Sequence, residues 1–462
     1  MIERVRERLN APRDASSLAV FRILFGLLMV GSISRYFAYG WIDRFYVRPE
    51  MHFTYWGLDF VRPLPPTAMT VLLAGLGVFA LMIALGLFYR FASVAFFVGF
   101  TYVHLLDVSN YLNHYYLVSL VALLFCFLPL HATWSLDARF RPSLRAATLP
   151  AWMLYLLRFQ IGIVYCFAAL AKFGPDWLLH GQPLSIWLHA RTDTPIIGPW
   201  LDEPMVAIGM SWAGFLYDAT IVFWLSWRRS RPFAYVVVLA FHFMTNVFFQ
   251  IGIFPAVMTI AALVFFEPDW PRQLWARVKR VELVKPEVAS ATRWALPRWG
   301  VALLAGWALF HLAMPLRTHL YEGNPNWHEQ GMRWSWRVMV REKNGDVAYR
   351  VRVNGQTRER VFVPNDYLTR EQEIEFAGQP DLVLQLAHHI RDDLESRGYR
   401  EVEVRADAWV SLNGRPSTRM IDPSVDLARV HDGISPAAWI LPAPEGPPIR
   451  LRSHRVAWLA AR

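Results

Sequence analysis

Charged residues are scarce in this chain. Asp, Glu, Lys and Arg make up 18% of its 462 residues, whereas 55% are hydrophobic and 15% are aromatic. A soluble protein usually carries about 25% charged residues. The apolar residues lie mostly between positions 17 and 315, and the charges lie in the flanks and the C-terminal third. This asymmetry argues against an ordinary soluble protein and predicts a polytopic membrane domain, residues 1–315, followed by a soluble domain, residues 316–462.

Cysteine is almost absent, and so are the motifs of common soluble enzymes. Cys126 and Cys166 both lie inside apolar runs, so they cannot form a disulfide framework for the soluble domain, and metal binding by them is not expected. The sequence has no glycine-rich phosphate loop, no His-Glu-x-x-His helix and no Gly-x-Ser-x-Gly elbow. The net charge of +10 comes largely from arginines in short connections between apolar runs, which indicates membrane orientation and not nucleic-acid binding.

The apolar runs predict about nine membrane spans, since a spanning helix needs about 20 mainly apolar residues. The predicted spans are 17–38, 68–88, 91–107, 116–131, 151–172, 205–227, 233–250, 253–267 and 296–315. Clusters of arginine and lysine occur in the N-terminal tail and in the connections 132–150, 227–232 and 268–295. With nine spans and a cytoplasmic N-terminus, all four clusters face the cytoplasm, as the positive-inside rule requires. The C-terminal domain is then extracytoplasmic.

Short alternating runs predict a mixed, mainly β, fold for that C-terminal domain. The segment AYRVRVNGQTRERVFVP indicates a hairpin around Asn354-Gly355. The segment QPDLVLQLAHHIRDDLESRG predicts an amphipathic helix that ends at a glycine, and EVEVRADAWVSLNGRP predicts a strand that runs into a turn.

Several polar residues lie where lipid is expected, and ionisable groups inside a membrane are costly and often functional. Lys172 stands in YCFAALAKFGPDW, near the outer end of the fifth span. It is a snorkelling anchor, an ion-pair partner or a desolvated amine kept neutral for chemistry. Asn113 and His114 precede the fourth span. His242 begins a polar stripe with Asn246 and Gln250 on one helical face, although a lone histidine more often hydrogen-bonds a neighbouring helix.

At these positions the sequence resembles the vitamin K-dependent γ-glutamyl carboxylase family, including its bacterial members. The resemblance covers most of the chain, through LGLFYRFASVAFFVGFTYVHLLDVSNYLNHYYL, IVYCFAALAKFGPDW, FHFMTNVFFQIGIFPAVM, SWRVMV and DAWVSLNGRPSTRMIDPSVD in the same order. It implies carboxylation of glutamate to γ-carboxyglutamate, coupled to epoxidation of vitamin K hydroquinone of the phylloquinone or menaquinone type. O2 and CO2 are the implied co-substrates, and no metal is implied.

The resemblance also assigns roles to individual residues. Lys172 matches the family's catalytic base, which takes a phenolic proton from the hydroquinone, and burial of an amine favours the neutral form that this step needs. Asn113 and His114 match a catalytic Asn-His pair. His242 and Asn246 are expected at the cofactor. A further group is expected to bind the glutamate substrate: Trp336, Trp327 and His319.

The sequence departs from the family's animal members in two places. Ala171 stands before Lys172, where animal members have a second lysine, and the disulfide that joins their membrane and lumenal parts has no equivalent. The shorter chain indicates a bacterial-type member of the inner membrane, with membrane lipid and a glutamate-containing protein or peptide as partners. Two alternatives stay open: a quinol oxygenase or epoxidase with a different acceptor, and a non-catalytic membrane binding or transport protein.

Overall fold

Long apolar helices dominate the first two thirds of the chain. The computed structural model describes residues 2–249, 251–282 and 291–449, so Gln250 and parts of the predicted regions 233–250, 268–295 and 316–462 lie outside the described residues. The helices of this part are α1 (Ile2–Leu9), α2 (Ser16–Ala38), α3 (Pro66–Leu85), α4 (Tyr89–Leu105), α5 (Asn113–Phe127), α6 (Leu136–Phe140), α7 (Ala151–Lys172), α8 (Pro175–Leu178), α9 (Leu184–His189), α10 (Pro204–Ser226), α11 (Arg231–Phe248), α12 (Phe254–Ala262), α13 (Trp270–Lys279) and α14 (Arg298–Leu316).

Each of the nine predicted spans coincides with one of these helices. Among the described residues, six helical segments are long and apolar enough to cross a membrane: α2, α3, α7, α10, α11 and Arg298–Leu320, which contains α14. Two shorter apolar helices, α5 and Phe254–Phe265, accompany them, and α4 has 17 residues. The prediction of a polytopic helical membrane protein is therefore confirmed, with an approximate number of spans.

A buried arginine ties the ends of several of these helices together. Arg22 of α2 is fully buried, and its guanidinium donates to four backbone carbonyls, at the end of α3 and in the connection after α5. The acceptors are the carbonyl oxygens of Ile83 (2.6 Å), Ala84 (2.7 Å), Leu130 (3.2 Å) and Trp134 (2.6 Å). Arg158 of α7 donates in the same way to the carbonyls of Val264, Phe265 and Phe266. Both arginines are therefore hydrogen-bond partners of backbone carbonyls at helix ends and in connections.

The C-terminal domain contains a four-stranded antiparallel sheet with helices against it. Its elements are α15 (Pro325–His328), β3 (Lys343–Arg352), β4 (Arg360–Phe362), α16 (Arg370–Phe376), α17 (Pro380–Ser396), β5 (Glu403–Leu412) and β6 (Thr418–Arg419), after the small pair β1 (Pro12–Asp14) and β2 (Thr148–Pro150) of the helical part. The strand order is β4-β3-β5-β6. Asn354 and Gly355 both have positive φ, of 53° and 66°, as a tight hairpin turn requires.

Alternation along β5 explains how this domain is held together. Side chains on a strand point alternately to opposite faces, and the buried face of β5 carries Val404, Ala406, Ala408, Val410 and Leu412. The apolar face of α17 lies in the same buried cluster. The predicted hairpin, amphipathic helix and strand are therefore confirmed.

Polar contacts fasten the C-terminal domain to the helical part. Arg415 makes two hydrogen bonds to Asp176, at 2.6 and 2.9 Å, and Gln372 donates to Asp107 at 2.9 Å. Phe53, from the connection after α2, is fully buried in the core of the C-terminal domain. This docking brings the segment Trp334–Val340 against the end of α7.

Candidate active site

Helix α7 ends abruptly, and its last residue is Lys172. Gly174 has an extended backbone and Pro175 begins α8, and a proline disfavours helical geometry in the residue before it. The end of α7 therefore holds Lys172 in place, and the lysine is only 6% exposed. Its side chain does not extend to the protein surface, so the snorkelling interpretation does not describe it.

The amine of Lys172 lies beside a carboxylate that sequence reasoning missed. Its Nζ is 2.9 Å from Oδ2 of Asp218 in α10, and both side chains are less than 10% exposed. Nζ also donates to the carbonyls of Ala168 at 3.4 Å and Val338 at 3.3 Å. Asp218 is the single acidic residue of the apolar segment PMVAIGMSWAGFLYDATIVFWLS. An acidic residue inside a predicted span was the signal that could have found it.

An apolar cavity of about 170 Å³ surrounds this pair. Among the described residues that line it, Lys172 and Asp218 are the only Lys, Arg, Asp or Glu side chains. His242 lies on the same wall, and its Nε2 is 3.3 Å from the hydroxyl of Tyr217. The Nδ1 atom of His242 is buried without a hydrogen-bond partner in the part of the chain that the structure describes.

A larger cavity of about 870 Å³ adjoins it. Asn113, His114 and Asn246 line this second cavity, together with His104 of α4. The hydroxyl of Tyr111 donates to Oδ1 of Asn113 at 3.1 Å. The volume of this larger cavity falls within the roughly 300–1,000 Å³ typical of small-molecule sites.

A third cavity, here called the vestibule, opens on the C-terminal domain and has a volume of about 680 Å³. Its wall contains basic and acidic side chains. The basic ones are Arg191, Arg333, Arg337, Arg341 and Lys343, and the acidic ones are Glu329, Glu342 and Glu375. Arg337 donates to Oδ1 of Asn326 at 2.9 Å, and no ion pair is formed by Arg337 within the described residues. Burial raises the pKa of Glu375 above its ordinary value.

The segment Trp334–Val340 separates these spaces and has an unusual backbone. Trp334, Trp336 and Met339 have positive φ values of 62°, 58° and 56°, a strained region for residues with a side chain. Trp336 is 1% exposed and stacks on Tyr116 with ring centroids 4.8 Å apart. Val338 and Met339, further along the same segment, line the cavity of Lys172.

The structure brings some of the predicted site residues together and leaves others apart. Lys172 and His242 share one cavity, and Asn113, His114 and Asn246 line the next. Trp336 and Trp327 are buried in the protein, and His319 is exposed. None of these last three lines any of the three cavities described above.

Trp327 has a packing partner of its own. Its Nε1 donates to the carbonyl of Leu441 at 2.7 Å, and its ring lies 5.6 Å from Nζ of Lys343. These contacts fix Trp327 within the C-terminal domain, behind the wall of the vestibule.

The two inner cavities fit a hydroquinone. Aromatic and aliphatic side chains can enclose an apolar ring system, while the amine of Lys172 and the unpartnered Nδ1 of His242 offer polar groups to its hydroxyls. No group of three or more His, Cys, Asp or Glu side chains with metal-binding geometry occurs within residues 2–249, 251–282 and 291–449.

Two family models match the chain. The model described as "HTTM domain" matches residues 10–270, and the model described as "Vitamin K-dependent gamma-carboxylase, lumenal domain" matches residues 296–446. The first covers all the site residues of the helical part, and the second covers the strained segment and the sheet. No solved structure matches the chain.

Proposed function

Since the chain belongs to the vitamin K-dependent γ-carboxylase family, a membrane family with an extracytoplasmic domain, we propose that it converts glutamate side chains to γ-carboxyglutamate. The observation that carries this proposal is the amine of Lys172, which lies in an apolar cavity with one carboxylate beside it. When bound, vitamin K hydroquinone and O2 supply the strong base that removes the γ-proton of glutamate. The protein's residues have to bind, orient and deprotonate the hydroquinone.

Lys172 is the base in this proposal, and Asp218 prepares it. An ion pair buried away from water is costly, so transfer of the ammonium proton to Asp218 yields a neutral amine and a neutral carboxylic acid at small cost. The neutral amine would then take a proton from a hydroxyl of the hydroquinone. The ammonium so formed would stand beside that oxygen, and Asp218 would keep the proton it received.

Three polar groups orient the hydroquinone. The unpartnered Nδ1 of His242 hydrogen-bonds one hydroxyl, while the hydroxyl of Tyr217 holds the other ring nitrogen of His242 at 3.3 Å. Asn113 and His114 line the larger cavity and would hold the hydroquinone from there. Asn246 lines the same cavity as this pair.

The glutamate substrate enters through the vestibule in this proposal. Arg337 has an amide oxygen as its acceptor, so its guanidinium can still bind a carboxylate. Arg337 and Val338 are adjacent, and the carbonyl of Val338 accepts from Lys172. A glutamate bound at Arg337 therefore lies close to the quinol cavity. The proposal includes a cytoplasmic N-terminus and a bacterial inner membrane, as the arginine clusters and the family's bacterial members suggest.

The test is a product assay on the purified protein in detergent. Vitamin K hydroquinone, O2, labelled bicarbonate and a short glutamate peptide are supplied, and epoxide and fixed label are measured together. Epoxide with label in the peptide is the expected result. Epoxide without label would favour a quinol oxygenase with another acceptor. If the reduced quinone is shown to bind and neither product is formed, the proposal is contradicted.

A further inference from the structure

The three cavities meet at one apolar partition. Phe249, Ile251 and Met339 each line all three cavities. On one side lies the cavity of Lys172 and Asp218. On the other side lies the vestibule, with its charged wall and the proposed entry of the glutamate. The end of the glutamate side chain has to reach past these three residues, so they form the apolar boundary between the vestibule and the reacting centre.

Met339 is held in this partition by its backbone. Its φ of 56° lies in the left-handed region, which is unfavourable for a residue with a side chain and persists only where the surroundings enforce it. The carbonyl of Val338 before it accepts from Lys172 at 3.3 Å. The carbonyl of Val340 after it accepts from Asn326 at 3.2 Å and from Asn413 at 3.4 Å. Both neighbours of Met339 are thus fixed.

We propose that Met339 is a positioning residue that keeps water away from the glutamyl carbanion until CO2 reacts with it. This inference rests on the proposed function. If water reaches the carbanion, the carbanion takes a proton from it, the C–H bond of glutamate is restored and hydroxide remains. The hydroquinone has then been consumed without carboxylation. Exclusion of water from an active site prevents side reactions of this kind.

The experiment compares Met339→Ala, which opens the partition, with Met339→Leu, which keeps its volume. Epoxide and fixed label are measured in D2O at saturating CO2, and recovered uncarboxylated peptide is examined for deuterium at the γ-carbon. We expect the ratio of epoxide to label to rise about tenfold in Met339→Ala, with deuterium in the recovered glutamate. Met339→Leu should keep the wild-type ratio. Met332→Ala, in a methionine that lines the vestibule but not the cavity of Lys172, should keep the ratio whatever its rate.

Met339→Gln gives a second route to the same answer if the alanine variant folds poorly. It preserves length and brings an amide that attracts water, so the same rise in the ratio is expected. If the folded variant forms both products in the wild-type ratio, this inference alone is overturned. If the wild-type protein forms neither epoxide nor labelled peptide, the proposed function is overturned, and this inference with it.

Discussion

Two buried lysines among the described residues each contact a carboxylate at 2.9 Å, yet their surroundings differ. Lys343 of β3 pairs with Glu329 and donates to the carbonyls of Trp327 and Gly378, both at 2.6 Å. Lys172 pairs with Asp218, but its two backbone contacts are longer, at 3.3 and 3.4 Å. Each amine also lies over a tryptophan ring.

The difference shows what separates a structural lysine from a reactive one. An ammonium has three donors, and three short acceptors inside the C-terminal domain satisfy those of Lys343. Burial lowers the pKa of Lys343 to about 8, so this lysine stays mostly protonated at neutral pH. Lys343 also lines a cavity, the vestibule, but its three donors are already engaged. Lys172 has one short acceptor and faces an apolar cavity, so its amine is the one with donors left for a ligand.

Removal of Lys172 should have the largest effect on activity. We expect Lys172→Met to lower the rates of epoxide and γ-carboxyglutamate formation together by about a thousandfold, the order of a general-base contribution. Rates per folded molecule, measured with the product assay, check this. A rate within about tenfold of wild type would contradict the role of Lys172.

A double variant separates chemistry from folding in that result. Lys172→Met leaves Asp218 buried without a cation, which is destabilising. Lys172→Met/Asp218→Asn removes both charges, so its thermal midpoint should return towards that of the wild-type protein while its activity stays lost. Recovered activity in the double variant would show that the loss came from folding.

Asp218→Asn sharpens the comparison by keeping the shape of the pair and removing its charge. An amide can accept a hydrogen bond from the amine but cannot take its proton. We expect both products to fall by about 10- to 100-fold, with no change in the KM for the peptide. A change confined to that KM would argue that Asp218 serves substrate binding.

The matching substitution in the pair of Lys343 and Glu329 should lower the stability of the fold. Lys343→Met leaves Glu329 with Arg341 as its remaining ion-pair partner and two carbonyls without a donor. Breaking a buried pair costs about 3 kcal/mol, so thermal unfolding monitored by tryptophan fluorescence should begin at a lower temperature. Activity per folded molecule should fall far less than in Lys172→Met. A loss of activity as large as that of Lys172→Met would contradict a structural role.

The smallest effect on stability is expected at Asp432, a half-buried carboxylate of the C-terminal domain. Asp432 forms no ion pair within the described residues. Burial and the nearby Asp381 raise the pKa of Asp432 from 3.8 to about 6. A raised folded-state pKa stabilises the fold at low pH, and this contribution is lost as the pH rises through about 6. Asp432→Asn should flatten this dependence and stabilise the domain by about 1 kcal/mol at neutral pH, allowing for solvent screening. Thermal midpoints measured between about pH 4 and about pH 7 test it, and parallel curves for both proteins would contradict it.

The sequence predicted the elements of the fold because their signals are local. Apolar length identified the helices, Asn354-Gly355 identified the hairpin, and alternation identified β5. Lys172 could also be found, since a lysine in an apolar run before Gly174-Pro175 stands out.

The partners of these residues could not be predicted in the same way. Asp218 lies 46 residues after Lys172, and their contact depends on how α10 packs against α7. The left-handed backbone of Met339 lies between two carbonyls that accept from side chains of other segments. Such contacts arise from tertiary packing, which no local pattern encodes.

Epoxide formation by Lys172→Met and Lys343→Met, measured side by side and normalised to folded protein, tests the central claim most directly. The comparison predicts that the first variant loses epoxide formation by about a thousandfold while the second keeps most of it. Equal losses in the two variants would contradict the claim that only Lys172 is the reactive amine.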